Sequence, residues 1–379
     1  MNTGRIKLGM LGGGKGAFIG IAHRIAAYMG ERYHLIGGAF DVNYELGLEF
    51  AKDLELDESR VYPDVEALIE NENKLPEGDR MEVVSIVTPN FLHFGMAKRL
   101  LESGFHVVCE KPMTMTANEA EILEGLVNST GKKLCLTHTY TGYPMVRQMK
   151  TMIAAGEIGE IQKVDVQYYQ GWINPIVHDK ELRKTVWRLD PAKSGISSCI
   201  GDIGLHGFNL VEYTTGIQIK EVLSDLNHLY DDNPLDVDGT VLLRMEGGIK
   251  GVLRASQIAT GEENNLTIKV YGRKGAFKWG QENPNELTLL RQDEPFQVYK
   301  PGHPYNAPFT IESTKMAPGH PEGIFDAMGN LYRGFAKAVR EEKLEDGDFT
   351  DVHDGVRGMH FIEKVVKSNK EGNTWVSIL

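Results

Sequence analysis

From Ile6 to about Thr137, short apolar runs alternate with amphipathic stretches. The runs Ile6 to Leu11, Leu35 to Phe40, Val83 to Val87, His106 to Cys109 and Leu134 to Thr137 have strand length, and several lack polar alternation, as strands buried on both faces do. Between them, Ala17 to Met29, Asn43 to Leu54, Asp64 to Asn71, His93 to Ser103 and Ala117 to Ser129 carry helical spacing, with Gly104 and Gly131 as stops. This order predicts βαβ units and a parallel sheet.

The pattern changes after about His138. Tyr143 to Ala155 reads as a helix closed by Gly156. Longer alternating runs follow at Ile161 to Tyr169, Glu221 to Leu229, Val237 to Met245, Ile249 to Ile258 and Leu266 to Tyr271. Gly247-Gly248 and Arg273-Lys274-Gly275 are hairpin signals, so a largely antiparallel sheet with one solvated or subunit-contacting face is expected. Pro301 to Pro321 reads as an extended excursion, because helical pattern resumes at Phe325 to Arg340 and Val356 to Ser368.

Length and composition refine this picture. At about 150 residues per domain, 379 residues suggest two domains, placed at 1–138 and 139–379. A hydrophobic share of 41% and a charged share of 25% argue against long disordered tracts. The net charge of −12, with no dominant basic patch, argues against nucleic acid and anionic membranes as partners. Cys109, Cys135 and Cys199 are odd in number and far apart, which fits reduced thiols in the cytoplasm. Neither a secretory core nor a run of about 20 apolar residues is evident, so a soluble, unexported protein is expected.

The first candidate for chemistry is Gly12-Gly13-Gly14-Lys15-Gly16-Ala17, set between a predicted strand and a predicted helix. It fits GxGxxG/A. In that pattern Gly12 permits a tight turn, Gly14 admits a pyrophosphate and Ala17 allows close helix packing, while N–H groups at the helix start attract phosphate. Asp41 follows the second strand, 27 positions after Gly14, where a carboxylate can receive ribose hydroxyls. It would repel a 2′-phosphate, and Val42-Asn43-Tyr44 offer no Lys or Arg to bind one, so NAD is favoured over NADP. Asp41 could instead cap the helix beginning near Asn43.

Glu110-Lys111-Pro112 lies at the carboxyl end of the His106 to Cys109 run, and Thr88-Pro89-Asn90 with His93 at the end of Val83 to Val87. Ligands of open α/β sheets bind outside those strand ends, so Lys111 would point into a crevice where a nicotinamide lies. The third motif is Gly201-Asp202-Ile203-Gly204-Leu205-His206. If Asp202 opens a helix, His206 shares its face, and imidazole can accept a hydroxyl proton while the carboxylate holds substrate or orients the ring. Asp202 as a plain N-cap and His206 as a packed helix residue is the alternative. Tyr140, Tyr143, Trp187, Arg188 and His320 are further candidates to line a sugar pocket. Asp231, Asp232, Asp236 and Asp238 lack a histidine at metal spacing, and no metal is assigned.

In this order the motifs resemble the Gfo/Idh/MocA family of glucose-fructose oxidoreductase, inositol dehydrogenase and rhizopine catabolism proteins. The resemblance runs from residues 12–17 through 88–90 and 110–112 to 202–206 and Asp354-Gly355-Val356-Arg357. It implies an N-terminal Rossmann domain, a doubly wound parallel sheet, followed by an α+β domain with a large open-faced antiparallel sheet that packs into homodimers or homotetramers. Lys111 would contact the reacting hydroxyl and the nicotinamide, His206 would be the general base and Asp202 its partner, with Glu110 and Asn90 near the nicotinamide ribose. Gly12, Gly13, Gly14, Lys15, Ala17, Phe18, Ile19, Asp41, Thr88 and His93 complete the implied cofactor set. Tyr140, Trp187, Arg188 and His320 join Asp202 and His206 on the substrate side. Gly12 to Gly20 followed by His23-Arg24 looks closest to the levoglucosan and glucoside 3-dehydrogenase branch. Ser194 to Cys199 departs from the glycine-rich approach of many members, which puts the substrate in doubt.

The expected activity is therefore NAD-dependent oxidation of a secondary hydroxyl of a sugar, glycoside or cyclic polyol. Redox-neutral glycoside cleavage through transient C3 oxidation uses the same residues. A non-catalytic dinucleotide or sugar sensor is the third reading.

Overall fold

The computed structural model describes residues 4–378 and divides them into two compact units. The first comprises residues up to Thr114, Asn118–Thr139 and Ile324–Val356. Its elements are β1 (Ile6–Gly12), α1 (Phe18–Met29), β2 (Tyr33–Ala39), α2 (Tyr44–Asp53), α3 (Val65–Glu72), β3 (Val83–Val87), α4 (His93–Glu102), β4 (His106–Cys109), α5 (Ala117–Thr130) and β5 (Leu134–Leu136). The five strands are parallel in the order β2-β1-β3-β4-β5. Outside β2 a single parallel bridge, Gly38 to Val61, takes the place of a further strand. Strand order reverses at β1, so the carboxyl ends of β1 and β3 border the crevice such sheets use for ligands.

Every residue of β3 is buried, which is why its sequence shows no polar alternation. Leu8, Val83, Ala22 and Ala26 form a core with Leu331, Tyr332 and Phe335 of the helix Ile324–Val339. Each of these large side chains contributes about 2 kcal/mol by leaving water. The change of unit falls between Thr139 and Tyr140, and the chain returns to the first unit at Ile324 through that helix. An amphipathic pattern fixes which helix face is apolar and leaves open which sheet it covers.

The second unit comprises Met115–Ala117, Tyr140–Gly323 and the described residues from Arg357 onward. It contains α6 (Pro144–Ala154), β6 (Ile161–Tyr169), α7 (Leu205–Thr215), β7 (Ile219–Asn227), β8 (Asp238–Met245), β9 (Lys250–Ser256), β10 (Asn265–Gly272), β11 (Ala276–Gly280), β12 (Leu287–Leu290), β13 (Gln297–Tyr299) and β14 (Val376–Ser377). They build a nine-stranded sheet, β13-β12-β11-β10-β6-β9-β8-β7-β14, antiparallel except where β6 meets β9. Val164, Val166 and Tyr168 of β6 alternate with less buried residues, and the buried set faces α7. Gly207 makes this packing possible, because a Cβ there would lie 3.2 Å from Leu253 and 3.4 Å from Val166. The helix Val352–Lys370 is tied to α7 by Arg357, whose Nε and Nη2 each donate to Glu212 at 2.7 Å. The proline-rich excursion is interrupted by a short helix, Pro308–Ser313.

Candidate active site

In the first unit the glycine loop joins β1 to α1. Gly12 and Gly13 have φ of 80° and 72°, a left-handed region where side chains are strained. Closeness between loop and helix comes from Gly20 rather than Ala17: a Cβ on Gly20 would lie 2.5 Å from the Gly13 Cα. Arg24, one turn further along α1, donates through Nη1 to the Gly13 carbonyl at 2.7 Å and fixes the loop from below. Lys15 points outward to Asp53 at 3.1 Å.

A cavity of about 640 Å³ opens beside this loop. Gly12, Gly13, Gly14, Lys15, Ala17, Asp41 and Thr88 line it, as does an unanticipated far end made by Pro63, Asp64, Glu66, Phe91, Met96 and Arg99. Arg99 and Glu66 pair there at 2.8 Å. Asp41 Oδ1 accepts the Asn43 N–H at 2.8 Å, whereas the cap of α2 is Asn43 itself, which accepts from Glu45 N–H. Asp41 is thus released from capping and stands on the cavity wall. A glycine cradle that side chains would fill, a helix N-terminus and a wall carboxylate suit a dinucleotide, with the carboxylate on the ribose side. Phe18 is 74% exposed and Ile19 packs into the core, so neither lines this cavity.

Glu110, Lys111 and Pro112 follow β4 directly, and the Lys111-Pro112 peptide is cis. Glu110 is buried. Its Oε1 accepts from His23 Nε2 at 2.9 Å and from the Thr137 hydroxyl, and its Oε2 from the Lys111 N–H at 3.2 Å. Burial alone would raise its pKa, but the His23 bond and charge, the Lys111 charge and the Thr137 bond pull it down to about 2. Asn90 begins a 3₁₀ turn and is partly exposed, outside the cavity lining. His93 is a correction to the cofactor set: it is fully buried, with Nδ1 2.8 Å from the Pro112 carbonyl and Nε2 2.9 Å from the Thr88 carbonyl. It braces the loop rather than facing the cavity.

In the second unit, Asp202 lies inside a π turn, Ile200–Gly204, that leads into α7. Such widened turns are common at functional sites. The cap of this helix is Asp236, buried, which accepts from Ser198 N–H at 3.0 Å and Ile200 N–H at 2.8 Å. Burial raises the Asp236 pKa despite those bonds. Asp202 is therefore no N-cap. Its Oδ2 accepts from Arg188 Nε at 3.1 Å and Gln257 Nε2 at 3.0 Å.

His206 is 8% exposed and meets the Tyr140 ring edge to face at 4.7 Å between centroids. Tyr140 bonds the Tyr168 hydroxyl at 2.6 Å, and Tyr168 donates to Asn264 at 3.1 Å. Gln170 donates through Nε2 to the same Asn264 oxygen at 2.9 Å, and its Oε1 accepts from Trp172 Nε1 at 3.0 Å. Burial pushes the Tyr168 phenol to about 12 and the Tyr140 phenol well up, so both remain neutral hydrogen-bonding groups. The Arg188 guanidinium lies 4.4 Å from the Trp187 ring centroid and 5.9 Å from that of Trp172. The structure thus gathers Asp202, His206, Tyr140, Trp187 and Arg188, and adds Tyr168, Gln170, Trp172 and Gln257, which no local spacing announces. His320 is exposed, with Nδ1 3.1 Å from the Ala317 carbonyl, and among the described residues no contact joins it to this cluster.

The carboxylates at the turn before β8 have other partners. Asp232 pairs with Lys180 at 3.0 Å and Arg183 at 2.8 Å. Among the described residues no group of three or more His, Cys, Asp or Glu is placed to hold a metal, and no helix is long and apolar enough to cross a membrane.

Known proteins share this fold. Residues 6–138 match the oxidoreductase family with an NAD-binding Rossmann fold, and residues 146–278 match the GFO/IDH/MocA C-terminal domain. The uncharacterised oxidoreductase YfiI of Bacillus subtilis is 34% identical over 98% of this chain and 96% of its own. Levoglucosan dehydrogenase of Pseudarthrobacter phenanthrenivorans is 26% identical, covering 79% of this chain and 82% of its own. An inositol dehydrogenase homologue from Azotobacter vinelandii, solved with NADH and myo-inositol, superposes with a TM-score of 0.90 at 33% identity over 99% of this chain and 98% of that one. The chain belongs to the Gfo/Idh/MocA family and is an NAD-dependent oxidoreductase.

Proposed function

We propose that this enzyme oxidises a secondary hydroxyl of a sugar, glycoside or cyclic polyol, with Lys111, Asp202 and His206 as its catalytic residues. The observation that carries the reading is the Asp202 and His206 cluster in the second unit, set among Arg188, Trp187 and Trp172. Aromatic faces and paired hydrogen-bond groups are what a polyhydroxylated ring requires. The relatives that carry names agree in kind, one acting on levoglucosan and one bound to myo-inositol.

Such an oxidation removes a hydroxyl proton and a hydride from one carbon, and bound NAD supplies the hydride acceptor. His206 takes the proton, a role an imidazole nitrogen can fill. Asp202, already holding Arg188 and Gln257, orients the substrate's hydroxyls. The Lys111 ammonium steadies the negative charge that develops on oxygen. The loop 12–14 would hold the cofactor, and Asp41 on the cavity wall would accept its adenosine ribose hydroxyls.

Assembly into homo-oligomers through the outward face of the nine-stranded sheet is part of this proposal. Light scattering on the purified chain tests it. We also place the enzyme in the cytoplasm, where its three buried free cysteines stay reduced.

The deciding experiment incubates the protein with NAD and a panel of inositols, pyranosides and anhydrosugars, and follows NADH by absorbance. Formation of NADH with at least one of them is expected. Binding of NAD without reduction across the panel would sink the reading, and glycoside cleavage without net NADH would replace it with the redox-neutral reaction.

A further inference from the structure

Two buried histidines from different helices converge on Glu110, Lys111 and Pro112. From α1, His23 donates through Nε2 to Glu110 Oε1 at 2.9 Å, while its Nδ1 meets the Tyr332 hydroxyl at 2.8 Å. From α4, His93 places Nδ1 2.8 Å from the Pro112 carbonyl and Nε2 2.9 Å from the Thr88 carbonyl. Both rings are fully shielded from water. Burying an imidazole costs free energy that an apolar side chain of similar size would not. Here the polar atoms are aimed at the residues flanking Lys111 and at the strand end carrying Thr88.

The two contacts of His93 are not equivalent. Carbonyl oxygens only accept, and a neutral imidazole has one N–H to donate. Burial lowers the His93 pKa, the two carbonyls and Glu110 raise it, and Lys111 lowers it again, leaving a net decrease. The neutral ring therefore commits its proton to one carbonyl.

We infer that His23 and His93 are positioning residues for Lys111: His23 fixes Glu110 before it and His93, through an Nδ1–H bond to Pro112, fixes the peptide after it. This rests on the reading of Lys111 as catalytic. A lysine side chain is long and rotatable, so fixing the main chain on both sides narrows where the ammonium can go. A misplacement of about 1 Å can cost roughly a hundredfold in rate.

Side-chain amides test the assignment nitrogen by nitrogen. Asparagine places its amide near the Nδ1 position of histidine, and glutamine near Nε2. His93→Asn and His23→Gln should restore function, whereas His93→Gln and His23→Asn should behave like His93→Leu and His23→Leu, which remove both ring nitrogens. The first readout needs no substrate: the full-length protein is ¹³C-methylated on its lysines, and the Lys111 NMR signal is assigned as the one missing from Lys111→Arg. It should keep its wild-type position in the restoring variants and move in the others. With myo-inositol or levoglucosan, kcat should fall about a hundredfold only in the non-restoring variants. A Lys111 signal unchanged in every variant, or losses that follow melting temperature regardless of which nitrogen is replaced, would overturn the inference. Lys111→Met separates the two levels, since activity retained there removes the catalytic role of Lys111 itself.

Discussion

Arg188 donates through Nε to Asp202 Oδ2 at 3.1 Å while its guanidinium stacks 4.4 Å from the Trp187 ring centroid. The rigid guanidinium fork makes both contacts at once, which the single point charge of a lysine ammonium on a flexible stem does not reproduce. Arg188→Lys should raise KM for the sugar or polyol about tenfold, as loss of one charge-assisted hydrogen bond of about 1.4 kcal/mol requires. NADH affinity should not change. Steady-state kinetics beside a fluorescence titration of NADH checks this, and an unaltered KM would show that Arg188 only packs.

Asp41 stands on the cavity wall with one oxygen on the Asn43 N–H. A carboxylate at this place accepts ribose hydroxyls and repels a 2′-phosphate. Asp41→Ser should weaken NAD binding about tenfold, the equivalent of roughly 1.4 kcal/mol, and narrow the gap between NAD and NADP. Titrating both cofactors against the variant decides it. Should the preference for NAD survive intact, discrimination lies elsewhere in the loop.

Gly20 is the residue that lets α1 touch the glycine loop. A methyl group there would meet the Gly13 Cα at 2.5 Å and the Gly13 carbonyl oxygen at 2.6 Å, and main chain cannot step aside as a flexible side chain can. Gly20→Ala should therefore displace Gly13 and cost dinucleotide affinity at least about tenfold, with overpacking lowering stability by about 1–3 kcal/mol. Isothermal titration with NAD and thermal melts measure the two effects. Wild-type affinity in a folded variant would mean that the loop moves freely.

The parallel sheet was legible because strands such as Val83–Val87 are buried on both faces and so read as unbroken apolar runs. Short strands in the second sheet, Leu287–Leu290 and Gln297–Tyr299, escaped because so few residues carry no period. Spacing revealed the glycine loop and the Asp202 and His206 pair, since both are local. The bond between His23 and Glu110 spans 87 positions and that between Asp202 and Gln257 spans 55, and no local pattern announces either. Asp236 looked like part of an acidic turn, and only the fold shows that it caps the helix carrying His206.

His106 gives the fold a pH dependence of predictable sign. Its Nδ1 accepts the Lys133 N–H at 3.1 Å, which requires an unprotonated nitrogen. Burial, then the charges of Lys132 and Lys133, lower its pKa from 6.5 to about 4, against a smaller opposite effect of Glu82. Between those values the unfolded chain binds a proton that the folded one refuses, so this contribution is full above 6.5 and is lost as pH falls toward about 4. His138, lowered to about 3 mainly by burial, adds to the loss with the same sign. Glu110, held near 2, begins to contribute only below its ordinary value of 4.5. One group can impose at most about 1.4 kcal/mol per pH unit. His106→Asn keeps an acceptor near the Lys133 N–H and removes the titration, so the fall in stability between pH 6.5 and 4 should become shallower by up to that slope. Urea unfolding of both proteins across that window measures it. Parallel curves would show that the proton goes elsewhere.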